Sequence, residues 1–153
     1  MLEAIMTILF LGLDQISKLA IIKNMNLYDS IPVVKDIFHI TYIHNTGIVF
    51  GMLTGHNFYI LLGTVVFVVI FLFSLRRDFA KIYAENKSSL VFRITLAMFL
   101  GGALGNVVDR IFRGFVVDFL DFRIWPIFNL ADSFICVSFG IFVIYFFRKE
   151  KSE

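Results

Sequence analysis

The sequence predicts a membrane-embedded, all-α bundle of four transmembrane helices with a small β element on its extracytoplasmic side. Composition, apolar segmentation and one β-favouring stretch carry that expectation. Of 153 residues, 59% are hydrophobic, 17% aromatic (20 of them Phe) and only 17% charged, with a mean hydropathy of +0.85. This is the make-up of a polytopic membrane protein and not of a soluble domain. A span uses roughly 20 residues, so the chain has room for four spans and one modest outer element in a single integral-membrane domain, 1–153. The net charge of +2 is too small to suggest a nucleic-acid partner.

The four apolar runs extend approximately over 2–22, 58–75, 94–108 and 134–147. The last two are short and are expected to reach into their polar flanks. The first has the length of a signal peptide but lacks a basic leading region and a small-residue cleavage site, and Asp14 and Lys18 interrupt it. It is therefore expected to remain as a span. Between the first two runs, the outer segment 28–53 is rich in β-favouring residues (Ile31, Val33, Ile37, Phe38, Ile40, Tyr42, Ile43), punctuated by Pro32 and Gly47. That pattern predicts a short sheet or hairpin at the membrane surface. The lone Cys136 lies in the last run and reads as a small hydrophobe.

Basic residues orient the bundle. Arg76, Arg77, Lys81, Lys87 and Arg93 lie between runs two and three, and Arg148, Lys149 and Lys151 follow run four. By the positive-inside rule both segments are cytoplasmic, which places both termini inside and the segments 23–57 and 109–132 outside. Asp14 then sits roughly 18 Å along the first helix, in its outer half. Asp109 at the end of span three and Asp132 at the start of span four fall at the same depth.

Asp109, Asp118 and Asp132 lie within 24 residues, and carboxylates near a bilayer are costly unless paired, hydrogen-bonded or watered. Asp118, flanked by Val116, Val117, Phe119 and Leu120, is expected to hold its proton near neutral pH. Asn129 and Asp132 have the spacing of a capping box, and a helix N-terminus favours an anion. If the two carboxylates face one another, they have the environments by which paired aspartates share a proton and activate water.

Structural readings stand beside these. Asp132 can be only a cap and Asp118 only a solvated loop residue. Asp14 and Lys18, four apart, have the spacing of an intrahelical ion pair. Asp109 and Arg110 suit an interfacial anchor or pairing with other groups, Asp121 and Arg123 read as exposed loop charges, and Ala97, Gly101 and Gly105 form a small-residue stripe for helix packing. His39, His44 and His56 have no metal-ligand spacing.

The strings DQISK (14–18), NTG (45–47), GNVVDR (105–110), VVDF (116–119) and FNLADS (128–133), in this order, closely resemble the bacterial lipoprotein signal peptidases, or signal peptidase II. The resemblance implies an aspartyl endopeptidase that removes signal peptides from diacylglyceryl-modified prolipoproteins by cutting just before the lipidated Cys. Asp118 and Asp132 match the catalytic pair. Asn106, Arg110 and Asn129 match polar residues lining the site, while Asp14, Lys18, Asn45, Gly47 and Asp109 match motif positions that support it. It also implies an outer β-cradle over 28–53 and a nearby short helix, no metal or organic cofactor, lipid-modified prolipoproteins and membrane lipid as partners, and a monomer in the bacterial cytoplasmic membrane with its active site at the outer face. The departure from the pattern is Ile48 and Val49, where small residues usually follow NTG. A proton-coupled transporter would want carboxylates nearer the bilayer midplane, and a noncatalytic scaffold would tolerate loss of either aspartate.

Overall fold

A computed structural model describes residues 1–47 and 83–150. The 58–75 run, the 48–53 end of the β segment, Ile48, Val49, His56, Arg76, Arg77 and Lys81 lie outside the described residues.

Helix α1 (Leu2–Asn24) presents Ile5, Ile8, Leu9, Leu13, Ile16 and Leu19 outward, and the residues it buries are Asp14 and Lys18. This is the reverse of a soluble amphipathic helix and suits a helix whose outer face meets lipid. Helix α2 (Leu90–Phe112) is likewise long and apolar enough to cross a membrane, and α3 (Leu130–Glu150) is a third apolar helix. The helices outrun the apolar runs 94–108 and 134–147 because polar residues start them. Ser89 Oγ accepts from Phe92 N at the head of α2, and Asn129 caps α3. Asp109 therefore lies, buried, inside the last turn of α2, next to the half-buried Arg110 and three residues before the helix ends.

α2 is the central helix, packed on α1 and α3, and its small residues make the approach possible. A Cβ at Gly101 would lie 2.6 Å from Phe10 Cβ and 2.9 Å from the Thr7 carbonyl, while one at Gly102 would lie 2.6 Å from the Ala131 carbonyl. Ala97 is fully buried. Phe10 and Phe134 close the α1–α3 side edge to face, at 4.9 Å. At the other end of the bundle from the sheet, Arg93 forms a two-pronged ion pair with Glu3.

The expected hairpin is present: β1 (Ser30–Val34) and β2 (Phe38–Asn45) pair antiparallel, turning through Asp36 at positive φ. A third strand, β3 (Val116–Asp121), pairs antiparallel with β2, giving the order β1-β2-β3. The stretch that holds Asp118 is therefore a buried strand, and the reading of Asp118 as a solvated loop residue fails. The β-favouring Val116, Val117 and Phe119 needed a partner strand, Phe38–Asn45, far earlier in the chain to become a strand. Gly114, at φ +79, lets the chain turn from α2 into β3. Tyr42, Val117 and Phe119 form a small core against Ile21, Ile22 and Met25 at the end of α1.

Asp121 is a correction. It is buried rather than an exposed loop charge, accepting from Thr41 Oγ1 (2.8 Å), Arg123 N (2.8 Å) and Arg123 Nη1 (3.0 Å). Burial pushes its carboxyl up, but these bonds together outweigh burial and hold it below the usual range.

Candidate active site

Asp118 is placed by strand pairing. It stands opposite Ile43 on β2 and is 1% exposed. Asn45 Nδ2 donates to its Oδ2 at 2.8 Å, and Asn129 Nδ2 donates to its Oδ1 at 2.6 Å. Burial first, and the charge of Asp132 second, raise its pKa to about 7 against the pull of those two amides and of Lys18.

Asp132 is placed by helix capping. Asn129 Oδ1 accepts from Asp132 N (2.9 Å) while Asp132 Oδ2 accepts from Asn129 N (3.3 Å), the reciprocal box expected from the sequence. Asn106 Nδ2 donates to Asp132 Oδ1 at 2.7 Å. Asn129 thus caps one aspartate and holds the other, and its Nδ2 also reaches Asn106 Oδ1 at 3.1 Å. The fully buried Asn129 is the hinge of the pair.

Beneath them lies a buried ionic layer. Lys18 Nζ meets Asp14 Oδ2 at 2.9 Å, Asp109 Oδ2 at 3.0 Å and Asn106 Oδ1 at 3.1 Å. The i,i+4 pair expected within α1 exists, but it is one edge of a larger network. Arg113 pairs with Asp109 from the next turn, and Gln15 contacts Asp14, Asp109, the Gly105 carbonyl and Arg113.

Gly47 N donates to Asn45 Oδ1 at 2.9 Å. Arg110 reaches the carbonyls of Gly47 and Asn106 at 3.4 Å each, and its Nε has no acceptor among the described residues. Every site residue named from the sequence therefore falls in this one cluster. Gln15 and Arg113 were not singled out, although Arg113 follows Asp109 at ion-pair spacing and Gln15 lies inside the DQISK string. Among the described residues, no group of three His, Cys, Asp or Glu could hold a metal ion. Two carboxyls, one buried in protonatable form and both oriented by amides, can together polarise a water molecule.

The fold is that of solved bacterial membrane enzymes. One solved structure, described as a bacterial membrane enzyme determined by the in meso method at 2.3 Å resolution, superposes with a TM-score of 0.80 at 26% identity, covering 99% of this chain and 90% of that one. A second, determined at 1.9 Å, gives a TM-score of 0.75 at 27% identity, over 94% of this chain and 91% of that one. The family described as signal peptidase (SPase) II matches residues 6–148, and the chain belongs to that family. Among its relatives, the lipoprotein signal peptidase of Halothermothrix orenii is 39% identical over 96% of each chain. That of Moorella thermoacetica is 41% identical over 92% of this chain and 87% of its own, and that of Clostridioides difficile is 36% identical over 99% and 100%.

Proposed function

We propose that the chain is an aspartyl endopeptidase that removes signal peptides from diacylglyceryl-modified prolipoproteins, cutting just before the lipidated Cys. The observation that carries this reading is the arrangement of Asp118 and Asp132 around Asn129. Asp118 carries the shared proton and Asp132, at the head of α3, takes a proton from water. The hydroxide attacks the scissile carbonyl, Asp118 donates to the leaving amine, and the products are a signal-peptide carboxylate and an amino-terminal Cys. Asn45, Asn106 and Asn129 keep the two carboxyls in register. Arg110, whose Nε–H has no acceptor among the described residues, holds a substrate carbonyl.

The four-span topology, with both termini cytoplasmic and the dyad at the outer face of the bacterial cytoplasmic membrane, belongs to the same proposal. Exposed Ile31, Val33 and Ile37 on the hairpin and Ile124 and Trp125 beyond β3 suit contact with membrane lipid at the interface. A substrate anchored in the same plane reaches the site at raised effective concentration. The enzyme works without a cofactor and as a monomer.

The test is a gel-shift cleavage assay on a diacylglyceryl-modified prolipoprotein in detergent micelles. The parent cleaves, whereas folded Asp118→Asn and Asp132→Asn each lose at least about 10³-fold in kcat. Cleavage retained by either variant moves the chemistry to another carboxylate. A folded parent that cuts nothing sinks the peptidase reading.

A further inference from the structure

We infer that Gln15 and Lys18 are positioning residues, joining the Asp14 and Asp109 carboxylates into one span that sets the separation of Asp118 and Asp132. The inference rests on the peptidase reading above and extends it to residues that do not touch the scissile bond.

The geometry is paired. Asp14 Oδ1 accepts from Ala131 N at 3.0 Å, the amide just before Asp132. Asp109 Oδ2 accepts from Val117 N at 3.1 Å, the amide just before Asp118. Each supporting carboxylate therefore grips the backbone one residue ahead of one member of the dyad. Those two carboxylates are then tied to each other twice. Lys18 Nζ reaches Asp14 Oδ2 and Asp109 Oδ2. Gln15 Nε2 reaches Asp14 Oδ2 and Asp109 Oδ1, each at 3.1 Å.

Both bridging residues are themselves held. The third Lys18 bond goes to Asn106 Oδ1, so an ammonium has all three of its donors used. Gln15 is held through its Oε1, which accepts from Arg113 Nη1 at 2.9 Å, while the Gly105 carbonyl, also 3.1 Å from Nε2, competes for the two hydrogens that bridge the carboxylates. Asp14, Lys18 and Asp109 are fully buried. Two like-charged carboxylates in a dry interior separate unless bridged, and any separation is passed directly to the Ala131 and Val117 amides. Reacting groups displaced by about 1 Å can lose on the order of a hundredfold in rate.

Lys18→Met would strand two buried carboxylates, a change large enough to prevent folding. Gln15→Met is neutral, of similar length and only half-buried, so it removes one bridge while Lys18 still compensates the charge. Its kcat, KM, pH–kcat profile and thermal midpoint are compared with those of the parent and Asp118→Asn on a lipid-modified prolipoprotein. We expect kcat to fall about 10- to 100-fold with KM little changed. The two limbs of the pH profile should draw together, because carboxyls that move apart share a proton less strongly. Limbs that stay in place, with kcat either unchanged or lost only in step with the thermal midpoint, overturn the inference. If Asp118→Asn cleaves at the parent rate, the peptidase dyad itself fails. If that variant is inactive while Gln15→Met behaves as the parent, the positioning role alone fails.

Discussion

Asp118 shows how a single side chain carries both the proposed chemistry and a cost in stability. Its pKa in the fold is about 7 against an ordinary 3.8, from burial first and the neighbouring Asp132 charge second. Between those values the folded chain keeps a proton that the unfolded chain has released. Stability from this group is therefore full below the lower value and declines as pH rises towards the upper one, by up to about 1.4 kcal/mol per pH unit. Thermal melts in detergent should show that decline between pH 4 and 7, and Asp118→Asn should remove it; an unchanged slope would show that Asp118 is not the group responsible. The capping role of Asn129 and Asp132 was legible in the sequence because a capping box is local. The second role of Asn129, holding Asp118, was not, since it joins a strand to a helix through a contact no spacing rule describes. Asp121 was misread for the same reason: its partner Thr41 lies 80 residues away.

Helix packing around α2 depends on missing side chains. A Cβ at Gly105 would collide with the Asp14 carboxylate and lie 3.3 Å from Ala131 Cβ, whereas one at Gly12 meets nothing within 4 Å among the described residues. Both are helical glycines, so Ala gains helix propensity at either site, worth roughly 1 kcal/mol. At Gly105 that gain is overcome by overpacking of about 1–3 kcal/mol against a fixed ionic layer. Gly105→Ala should lower the thermal midpoint and Gly12→Ala should hold or raise it. Equal behaviour of the two would show that the stripe does not set the α1–α2–α3 approach. The stripe itself was readable from Ala97, Gly101 and Gly105 at four-residue spacing. Gly102, which faces α3, was not, because a second packed face becomes visible only when a third helix is in place.

For the whole molecule, the proposed topology sets the hairpin tip and the helical segment 83–86 on opposite sides of the membrane. With the native thiol removed by Cys136→Ala, Lys35→Cys should react with a membrane-impermeant maleimide added outside intact cells. Glu85→Cys should react only after permeabilisation. The opposite pattern would invert the bundle and put the dyad on the cytoplasmic side. Both positions are exposed, so access and not burial decides the outcome.

Composition and the five ordered strings were enough to read a peptidase of this family, the three apolar helices among the described residues and the polar residues that the fold gathers into one cluster. Those features are written in local order: apolar length is set by bilayer thickness, capping by three-residue spacing, and ion pairs by the helical turn. What needed the folded chain was the convergence itself. β3 exists because β2 supplies its hydrogen bonds, and Lys18 serves two carboxylates because α1 crosses α2 at Gly105. Asp118 is dry because the sheet closes over it. Each depends on groups far apart in sequence meeting in a low-dielectric interior, where burial and pairing, not residue type, decide what a carboxyl does.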